Sequence, residues 1–391
     1  MNILPEIAAS EDELIAVFRD LHAHPEIGFQ ESRTSRIVAE KLQAYGVDEI
    51  TTGIAGTGVV ALVHGRGQGN RRVGLRADMD ALPIVEDTGL AWASENDGVM
   101  HACGHDGHTT MLLGAAKHLA ATRDFDGTAV LIFQPAEEGL GGARGMIADG
   151  LFERFPCDEI YGMHNYPTGV PGKFGICKGA ALAGAAFFDI RVEGTGSHAA
   201  HPDESRDALM VAASLATELN TVLARNIPPQ DTCVLSVTQM NAGSAYNVVP
   251  GTATLAGTIR YFRDEIYRIA ADRMQAICDG YAVAHGVKIH LDLRPVFDVL
   301  INDDDLSEAY VEAAADIVGP ENVSADDAPT TGSEDFADML RVVPGAYCSL
   351  GHSGTLPLHN PGFVLGEEIL PVGASIMARI VERRMPLQRL P

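Results

Sequence analysis

The pattern of hydrophobic and polar positions changes twice along the 391-residue chain. Up to about residue 182, short apolar runs alternate with segments that have the i, i+3, i+4 spacing of an amphipathic helix. The segments typical of buried strands are TGVVALVHG, RRVGLRADMD, TAVLIFQ and DEIYGMHNYP, and those typical of helices are HTTMLLGAAKHLAAT and the shorter GARGMIADGLF. Continuous apolar strands alternating with helices predict an α/β domain with a doubly wound, mostly parallel sheet.

Residues 183–294 follow a different pattern. In AFFDIRVEG the apolar residues Phe188, Ile190 and Val192 alternate strictly with charged ones. The next segment is an amphipathic helix whose predicted apolar stripe is Leu209, Ala212, Ala216, Leu219 and Leu223. Two alternating strands, a helix over about 264–285 and a last strand, VKIHLDLR, complete the set. This order of strands and helices predicts a ferredoxin-like βαββαβ unit with one polar sheet face.

After residue 294 the first pattern returns, with the helical segment SEAYVEAAADIVG and the strand YCSLGH. A chain of this length also exceeds what one hydrophobic core usually holds. We therefore predict an α/β domain formed by residues 1–182 and 295–391, and a compact domain, residues 183–294, inserted into it.

Composition narrows the range of partners and compartments. The net charge is −25, from 28 basic and 53 acidic residues, and it is spread along the chain. Such a charge argues against nucleic acid or an anionic membrane as a partner. The first 26 residues are typical of an acidic amphipathic helix rather than a signal peptide, and the six cysteines form no CxxC pair. Both features favour a cytoplasmic protein with reduced thiols.

Polar clusters occur at, or just after, the carboxyl ends of the predicted core strands. They are Asp78 with Asp80, Glu137 with Glu138, His164, and His359. Cys103 and His105 lie in the loop MHACGHDGH, which opens a predicted helix near His108. Because open α/β sheets bind ligands along this edge, we expect these clusters to be adjacent in space.

The donor types in these clusters point to a metal site. Thiolate, imidazole and carboxylate together suit zinc or another late divalent first-row ion. Five candidate ligands exceed the three that one catalytic zinc keeps, so two ions that share a bridging ligand would use them economically. These five are Cys103, His105, Glu138, His164 and His359. The alternative is a capped helix start with core histidines and ordinary loop acids.

The Glu137–Glu138 pair suggests a mechanism. Adjacent carboxylates in an extended segment point in opposite directions, so one can be a ligand while its neighbour acts as a general base. The alternative is a solvated acidic turn. Asp78 and Asp80 could orient a ligand imidazole or simply form a cap or turn. Asp106 is equally ambiguous, and we do not predict it to be a ligand.

Several motifs carry a family resemblance, and they occur in family order. They are LHAHPEIGFQE, LRADMDALP, MHACGHDGHTTMLLGAA, FQPAEEG, YGMHNYP, GTGSHAAHP, NVVPGTATLAGTIR, GSEDFA and LHNPGF. From about residue 15 to residue 365 the chain resembles metal-dependent aminoacylases of the hippurate hydrolase and indole-acetyl-amino-acid hydrolase group. This group belongs to the co-catalytic metallopeptidase superfamily.

The resemblance implies a catalytic α/β domain with an inserted lid and dimerisation domain, and a homodimer or homotetramer. It implies that two divalent ions are bound by the five candidate ligands, with Cys103 as the bridge and Glu137 as general base. Zinc and manganese are the expected metals, with nickel and cobalt as alternatives. The segment RADMD lacks the histidine of the wider superfamily, which matches the cysteine-containing subgroup and leaves the orienting role of Asp80 open.

Three residues of the inserted domain complete the expected site by resemblance. His198 in GTGSHAAHP resembles the family's lid histidine, which would reach the active site of the partner subunit and stabilise an oxyanion. Asn247 and Arg260 resemble the groups that hold the substrate carboxylate. By residue type alone, His198 would be a surface histidine and Arg260 a solvated cation. His201 is interpreted as a loop residue.

The predicted function is hydrolysis of N-acyl-L-amino acids, hippurate-like or N-acetyl, to a carboxylic acid and a free amino acid. Water activated by the metal would attack the amide carbonyl, with Glu137 as general base. One alternative is a dipeptidase on the same metal centre. Another is a non-catalytic metal-holding binding protein, which would not need Glu137. A hydrolase with Cys103 as nucleophile is disfavoured by the surplus of ligands.

Overall fold

A computed structural model describes residues 1–387 of the chain, which packs into two compact units. The first unit comprises Met1–Gly179, Ile301–Ala328 and the chain from Asp335 onward. The second comprises Ala180–Leu300 and Pro329–Glu334. It extends beyond residues 183–294, because its last long strand continues to Phe297 and because the Ala183 amide donates to the Thr330 and Gly332 carbonyls.

Eight strands, numbered along the chain, form the sheet of the first unit. They are β1 Glu49–Ile54, β2 Gly58–His64, β3 Arg72–Asp78, β4 Thr128–Gln134, β5 Glu159–Tyr166, β6 Phe174–Gly175, β15 Val323–Ser324 and β16 Gly345–Gly351. The spatial order is β1-β2-β4-β3-β5-β16-β6-β15. The central strands β4, β3, β5 and β16 are parallel, whereas β1, β2 and β6 introduce antiparallel pairs. The predicted mostly parallel sheet is confirmed.

The helices of the first unit cover this sheet. They are α1 Pro5–Ala8, α2 Glu11–Ala23, α3 Ser32–Tyr45, α4 His105–Thr122, α5 Gly142–Ala148, α6 Leu151–Arg154, α9 Asp304–Val318, α10 Phe336–Leu340 and α11 Leu370–Arg384, with 3₁₀ turns at Pro320–Asn322 and Glu367–Ile369. The segment predicted as one short helix forms α5 and α6, because Gly150 between them adopts a left-handed φ of 82°. Throughout residues 1–387, no helix has the length and apolar character that crossing a membrane requires.

The second unit contains a four-stranded antiparallel sheet and two long helices. Its elements are β7 Gly179–Leu182, β8 Gly184–Glu193, β9 Ser197–His198, a 3₁₀ turn Pro202–Glu204, α7 Ala208–Asn226, β10 Cys233–Ala242, β11 Val248–Val249, β12 Thr252–Tyr261, α8 Asp264–His285 and β13 Lys288–Phe297, followed by β14 Leu300–Asn302. The order β10-β12-β8-β13 is that of the predicted ferredoxin-like unit.

Burial in the second unit agrees with the strand prediction and corrects the helix prediction. Phe188, Ile190 and Val192 of β8 are buried, whereas the alternate charged residues are not. The buried line of α7 comprises Ala208, Val211, Ala212, Leu215, Leu219 and Val222. The predicted stripe is therefore wrong for Leu209, Ala216 and Leu223, which are half-buried at its margin. A neighbouring helix face, which includes Val211, Leu215 and Val222, packs into the core instead.

Candidate metal centre

The candidate site lies in the first unit, at the carboxyl ends of the central strands. Because β3, β4 and β5 are parallel neighbours, the residues that end or follow them share one edge of the sheet. His359 reaches the same edge from the loop after β16, where its amide donates to the Ala102 carbonyl at 2.8 Å. The expected spatial convergence of the polar clusters is thus present in the structure.

All five predicted ligands come together in overlapping groups. The donor atoms of Cys103, His105 and His164 lie within 4.8 Å of one another, and so do those of Cys103, Glu138 and His359. Cys103 Sγ is 3.4 Å from His164 Nε2, and Glu138 Oε1 is 3.3 Å from His359 Nε2. Cys103 therefore belongs to both groups, a position that suits a ligand shared by two ions.

Two buried atoms indicate that this donor set fits a cation. Within residues 1–387, the buried His105 Nε2 makes no hydrogen bond, and the buried Glu138 Oε1 has only His359 Nε2, 3.3 Å away, to pair with. A buried polar group without a partner costs about 1–3 kcal/mol, which coordination of an ion would offset. A thiol, three imidazoles and a carboxylate are donors that zinc and neighbouring divalent ions accept. The residues present fit the predicted group.

The protonation of the ligands makes metal binding dependent on pH. Burial lowers the pKa of His164 to about 3, so its imidazole is neutral. Hydrogen bonds to Cys103 and Glu138 raise the pKa of His359 to about 10. Burial raises the pKa of the Cys103 thiol. The metal-free site therefore holds protons on Cys103 and His359 that a bound cation would displace.

Asp80 connects the Glu137–Glu138 turn to a candidate ligand. It has both of the roles considered for it, orienting an imidazole and forming a turn. Its carboxylate accepts hydrogen bonds from the backbone amides of Glu137 and Glu138, both at 3.0 Å. The same carboxylate lies 3.3 Å from His105 Nδ1. Asp80 therefore orients an imidazole and holds the turn. The preceding Ala136 has a left-handed φ of 56°, a strained conformation for a non-glycine residue, and these bonds help to hold it.

The Glu137–Glu138 pair differs from its predicted geometry. The two residues lie in a turn and not in an extended segment. Their carboxylate oxygens and a ring nitrogen of His105 all lie within 4.8 Å of one another. The prediction that the two carboxylates point in opposite directions is wrong, because the left-handed Ala136 directs both toward His105. Glu137 is buried and Glu138 is half-buried.

Asp78 and Asp106 are buried carboxylates near the candidate ligand His105. Asp78 accepts hydrogen bonds from His108 Nδ1 and Arg76 Nη1, both at 2.6 Å, and lies 3.8 Å from His105 Nε2. Burial lowers the pKa of His105, but Asp78, Cys103 and Asp80 together outweigh this effect and raise it well above its ordinary value. Asp106 accepts a hydrogen bond from His22 Nδ1 at 2.7 Å and belongs to no ligand group among residues 1–387.

The predicted oxyanion residue His198 and the predicted substrate-binding residues Asn247 and Arg260 all lie in the second unit. His198 in β9 is exposed, and its Nδ1 accepts the Ala200 amide at 3.1 Å. Asn247 lies beside the His198 segment, because the Asn247 carbonyl accepts a hydrogen bond from the Ala199 amide at 2.9 Å. Arg260 lies apart on β12, where Nη1 donates to Ser333 Oγ at 2.6 Å.

Sequence reasoning missed a set of buried polar residues behind the ligands. They include Arg76, His108, Asn165 and His352, each at most 2% exposed. The available signals were the histidine inside MHACGHDGH and the asparagine directly after His164. His352 offers no such signal, because its partner Asn165 lies far away in the sequence. His201 is an exposed loop residue, as predicted.

Comparisons with known proteins agree with this geometry. The chain is 39% identical to a hippurate hydrolase of Campylobacter jejuni, covering 97% of this chain and 98% of that protein. It is 37% identical to an N-acetylcysteine deacetylase of Bacillus subtilis, with coverages of 95% and 97%. An IAA-amino acid hydrolase of Arabidopsis thaliana (ILR1-like 2) is 36% identical, with coverages of 94% and 84%. These relatives confirm the resemblance stated from the motifs.

A solved structure and a family model show the family to which the chain belongs. The crystal structure of the Bacillus subtilis YXEP protein, described as a dinuclear metal binding peptidase, superposes with a TM-score of 0.83. It is 33% identical and covers 96% of this chain and 98% of its own. The model of Peptidase family M20/M25/M40 matches residues 74–383. The chain therefore belongs to peptidase family M20/M25/M40.

Proposed function

We propose that this protein is a metal-dependent amidohydrolase that cleaves N-acyl-L-amino acids to a carboxylic acid and a free amino acid. The observation that carries the proposal is the convergence of Cys103, His105, Glu138, His164 and His359, with the buried carboxylate of Glu137 beside His105 and Glu138. The names of the three relatives each specify an acylated amino acid or its conjugate, which supports this substrate class.

The five ligands would hold two divalent ions, with Cys103 shared between them. Zinc and manganese suit this mixture of thiolate, imidazole and carboxylate, and nickel and cobalt are alternatives. When bound, such ions polarise the scissile carbonyl and lower the pKa of the attacking water.

Glu137 would move the proton. Its carboxylate lies beside the donor atoms of His105 and Glu138, and Asp80 fixes its backbone amide. We assign Glu137 as the general base that takes a proton from the attacking water. It then passes this proton to the leaving amine nitrogen, so that one residue serves both halves of the reaction.

His198 would stabilise the oxyanion, contributed by the partner subunit. Since its Nδ1 accepts the Ala200 amide, the neutral imidazole carries its proton on Nε2. The exposed ring thus presents a hydrogen-bond donor, as an oxyanion requires. Asn247 and Arg260 would hold the substrate carboxylate, and Arg260 is suited to it as a fork of fixed donors.

The assembly and compartment are further parts of the proposal. Among the described residues, the edge strands β10 and β13 each pair with one neighbour in the four-stranded sheet. An open edge with exposed apolar residues, such as Val234 and Met240, supports a homodimer or homotetramer formed through the second unit. None of the six cysteines, all within residues 1–387, forms a disulfide, which supports a cytoplasmic location.

The direct test is release of free amino acid from a panel that includes hippurate and N-acetyl-methionine. We expect release by the zinc- or manganese-loaded protein, and a fall in kcat of about 10²–10⁴-fold in Glu137→Gln with metal still bound. Glu138→Gln is the matched control, because it should lose metal as well as activity. A chelator should stop the reaction, whereas a thiol hydrolase would be spared.

The outcomes separate the alternatives. Release only from dipeptides would replace the aminoacylase by a dipeptidase on the same metal centre. If the protein binds metal but releases amino acid from neither the N-acyl amino acids nor dipeptides, it is a non-catalytic binding protein. Equal activity of Glu137→Gln and wild type would remove Glu137 from the role of general base.

A further inference from the structure

Asn165 lies at the end of β5, directly after the candidate ligand His164, and is 2% exposed. Its side-chain Nδ2 donates to the carbonyl of Cys103 at 2.6 Å, and its Oδ1 contacts His352 Nε2 at 3.0 Å. One buried amide thus touches the loop of one candidate ligand and follows another in the chain.

Hydrogen-bond chemistry fixes the orientation of this amide. A carbonyl only accepts, so the amide nitrogen must face Cys103 and the amide oxygen must face His352. His352 then donates from Nε2, because its Nδ1 accepts the backbone amides of Gly354 and Gly366, both at 3.0 Å. The His352 tautomer and the Asn165 rotamer therefore determine each other.

The backbone of Asn165 fixes two further imidazoles. Its amide donates to His108 Nε2 at 3.0 Å, so the His108 proton lies on Nδ1, where it is donated to Asp78. Its carbonyl accepts from His164 Nδ1 at 2.7 Å. His164 must then present the lone pair of Nε2, the atom that lies 3.4 Å from Cys103 Sγ.

The loop that carries Cys103 is packed closely onto the same amide. Gly104 has a φ of 87°, and a Cβ added there would lie 2.4 Å from Asn165 Nδ2. Only glycine permits this approach, because any side chain would displace the amide or the loop. The contact between Asn165 and the Cys103 loop is therefore built into the backbone.

We propose that Asn165 is a positioning residue for the metal site: its side chain sets the place of the Cys103 thiol, and its main-chain carbonyl sets the tautomer of His164. It touches no substrate atom and acts through the two ligands. Groups that orient metal ligands typically contribute about 10–100-fold to metal affinity. The inference rests on the proposed function, in that Cys103 and His164 are taken as ligands.

The test compares Asn165→Asp with Asn302→Asp. Asn302 is also 2% exposed, and its Nδ2 donates to the carbonyls of Cys177 and Tyr347 at 2.8 and 3.0 Å. In both variants the substitution replaces a buried amide NH2 group by a carboxylate oxygen. The bonds of the Asn302 amide nitrogen go to Cys177 and Tyr347, which are not candidate ligands. The probe is cobalt(II), added to the full-length protein freed of metal, with the thiolate-to-cobalt absorption band and the dissociation constant as readouts.

We expect Asn165→Asp to bind cobalt about 10–100-fold more weakly, with a weakened or shifted thiolate band. Asn302→Asp should lower the midpoint of urea unfolding and leave both cobalt readouts as in wild type. Equal cobalt binding in the two variants would overturn the inference. If Asn165→Asp does not fold, Asn165→Ser removes the amide without adding a charge, and the same comparison decides.

The design separates this inference from the proposed function. A wild-type protein without a thiolate-to-cobalt band would remove Cys103 from the ligand set, and the proposed site would fail first. A wild-type band that Asn165→Asp leaves unchanged would leave the site intact and remove only the role of Asn165.

Discussion

At the scale of single residues, His22 illustrates how a buried charge couples stability to pH. Its Nδ1 is 2.7 Å from Asp106 Oδ2, and its Nε2 is 3.4 Å from Glu86. Burial lowers the pKa of His22, but the hydrogen bonds to Asp106 and Glu86 outweigh it and raise the pKa to about 9. The imidazole is therefore protonated in the folded protein at neutral pH.

This raised pKa predicts a loss of stability on the alkaline side. The contribution of His22 is fully present below the unfolded pKa of about 6.5 and is lost as pH rises through about 9. We expect the free energy of unfolding, measured in urea, to fall more steeply over this range in wild type than in His22→Gln. Parallel pH profiles of the two proteins would contradict the assignment.

The residue scale also shows where sequence reasoning ends. Glu138, His164 and Cys103 could be predicted because each follows a recognisable strand or opens a helix. Arg76 could not, since its burial depends on Gln134 and Asp335, which come from two distant parts of the chain, as well as on the nearby Asp78. A polar residue in an apolar strand gives no sign of which partners the fold will bring to it.

At the scale of elements, apolar runs and helical spacing predicted the central strands and the long helices α4, α7, α8 and α9. Strand β1 was not predicted, because it is an edge strand in which only Ile54 of residues Glu49–Ile54 is buried and no periodic pattern is present. The stripe of α7 was displaced because several alanines made neighbouring faces similar in apolar character. Periodicity therefore predicts whether a segment is a helix or a strand better than it predicts which face of the helix is buried.

The start of α9 offers a test at this scale. Asp303 is its N-cap, and the side-chain Oδ1 accepts the Leu306 amide at 3.0 Å. We expect Asp303→Ala to lower the free energy of unfolding by about 1 kcal/mol, because one of the first helical amides loses its partner. Asp304→Ala, in the same turn without the cap bond, is the matched control. Equal losses in the two variants would show that the cap bond contributes nothing.

At the scale of the whole molecule, the candidate metal site joins segments that are far apart in the first unit. Cys103 lies just before α4 and His105 begins it, whereas Glu138 follows β4. His164 lies near the end of β5, and His359 follows β16. Binding of a cation to the folded chain should therefore stabilise the unit as a whole, by about 2.7 kcal/mol when the free metal is at 100 times its dissociation constant.

Chelation tests this coupling. We expect removal of metal to lower the thermal midpoint of wild type, and added zinc or manganese to restore it. Cys103→Ser should respond less, because its oxygen is a poorer ligand for these ions than a thiolate. Identical melting curves with and without metal would separate the site from the stability of the fold.

The distribution of the ligands along the chain also determines when the site can form during synthesis. Cys103, His105, Glu138 and His164 all precede the second unit, whereas His359 follows it. A ribosome must therefore complete the second unit and most of the remaining chain before the last ligand is available. We therefore expect the candidate site to be completed only late in synthesis or after it, and a chain that ends before His359 would hold four of the five candidate ligands.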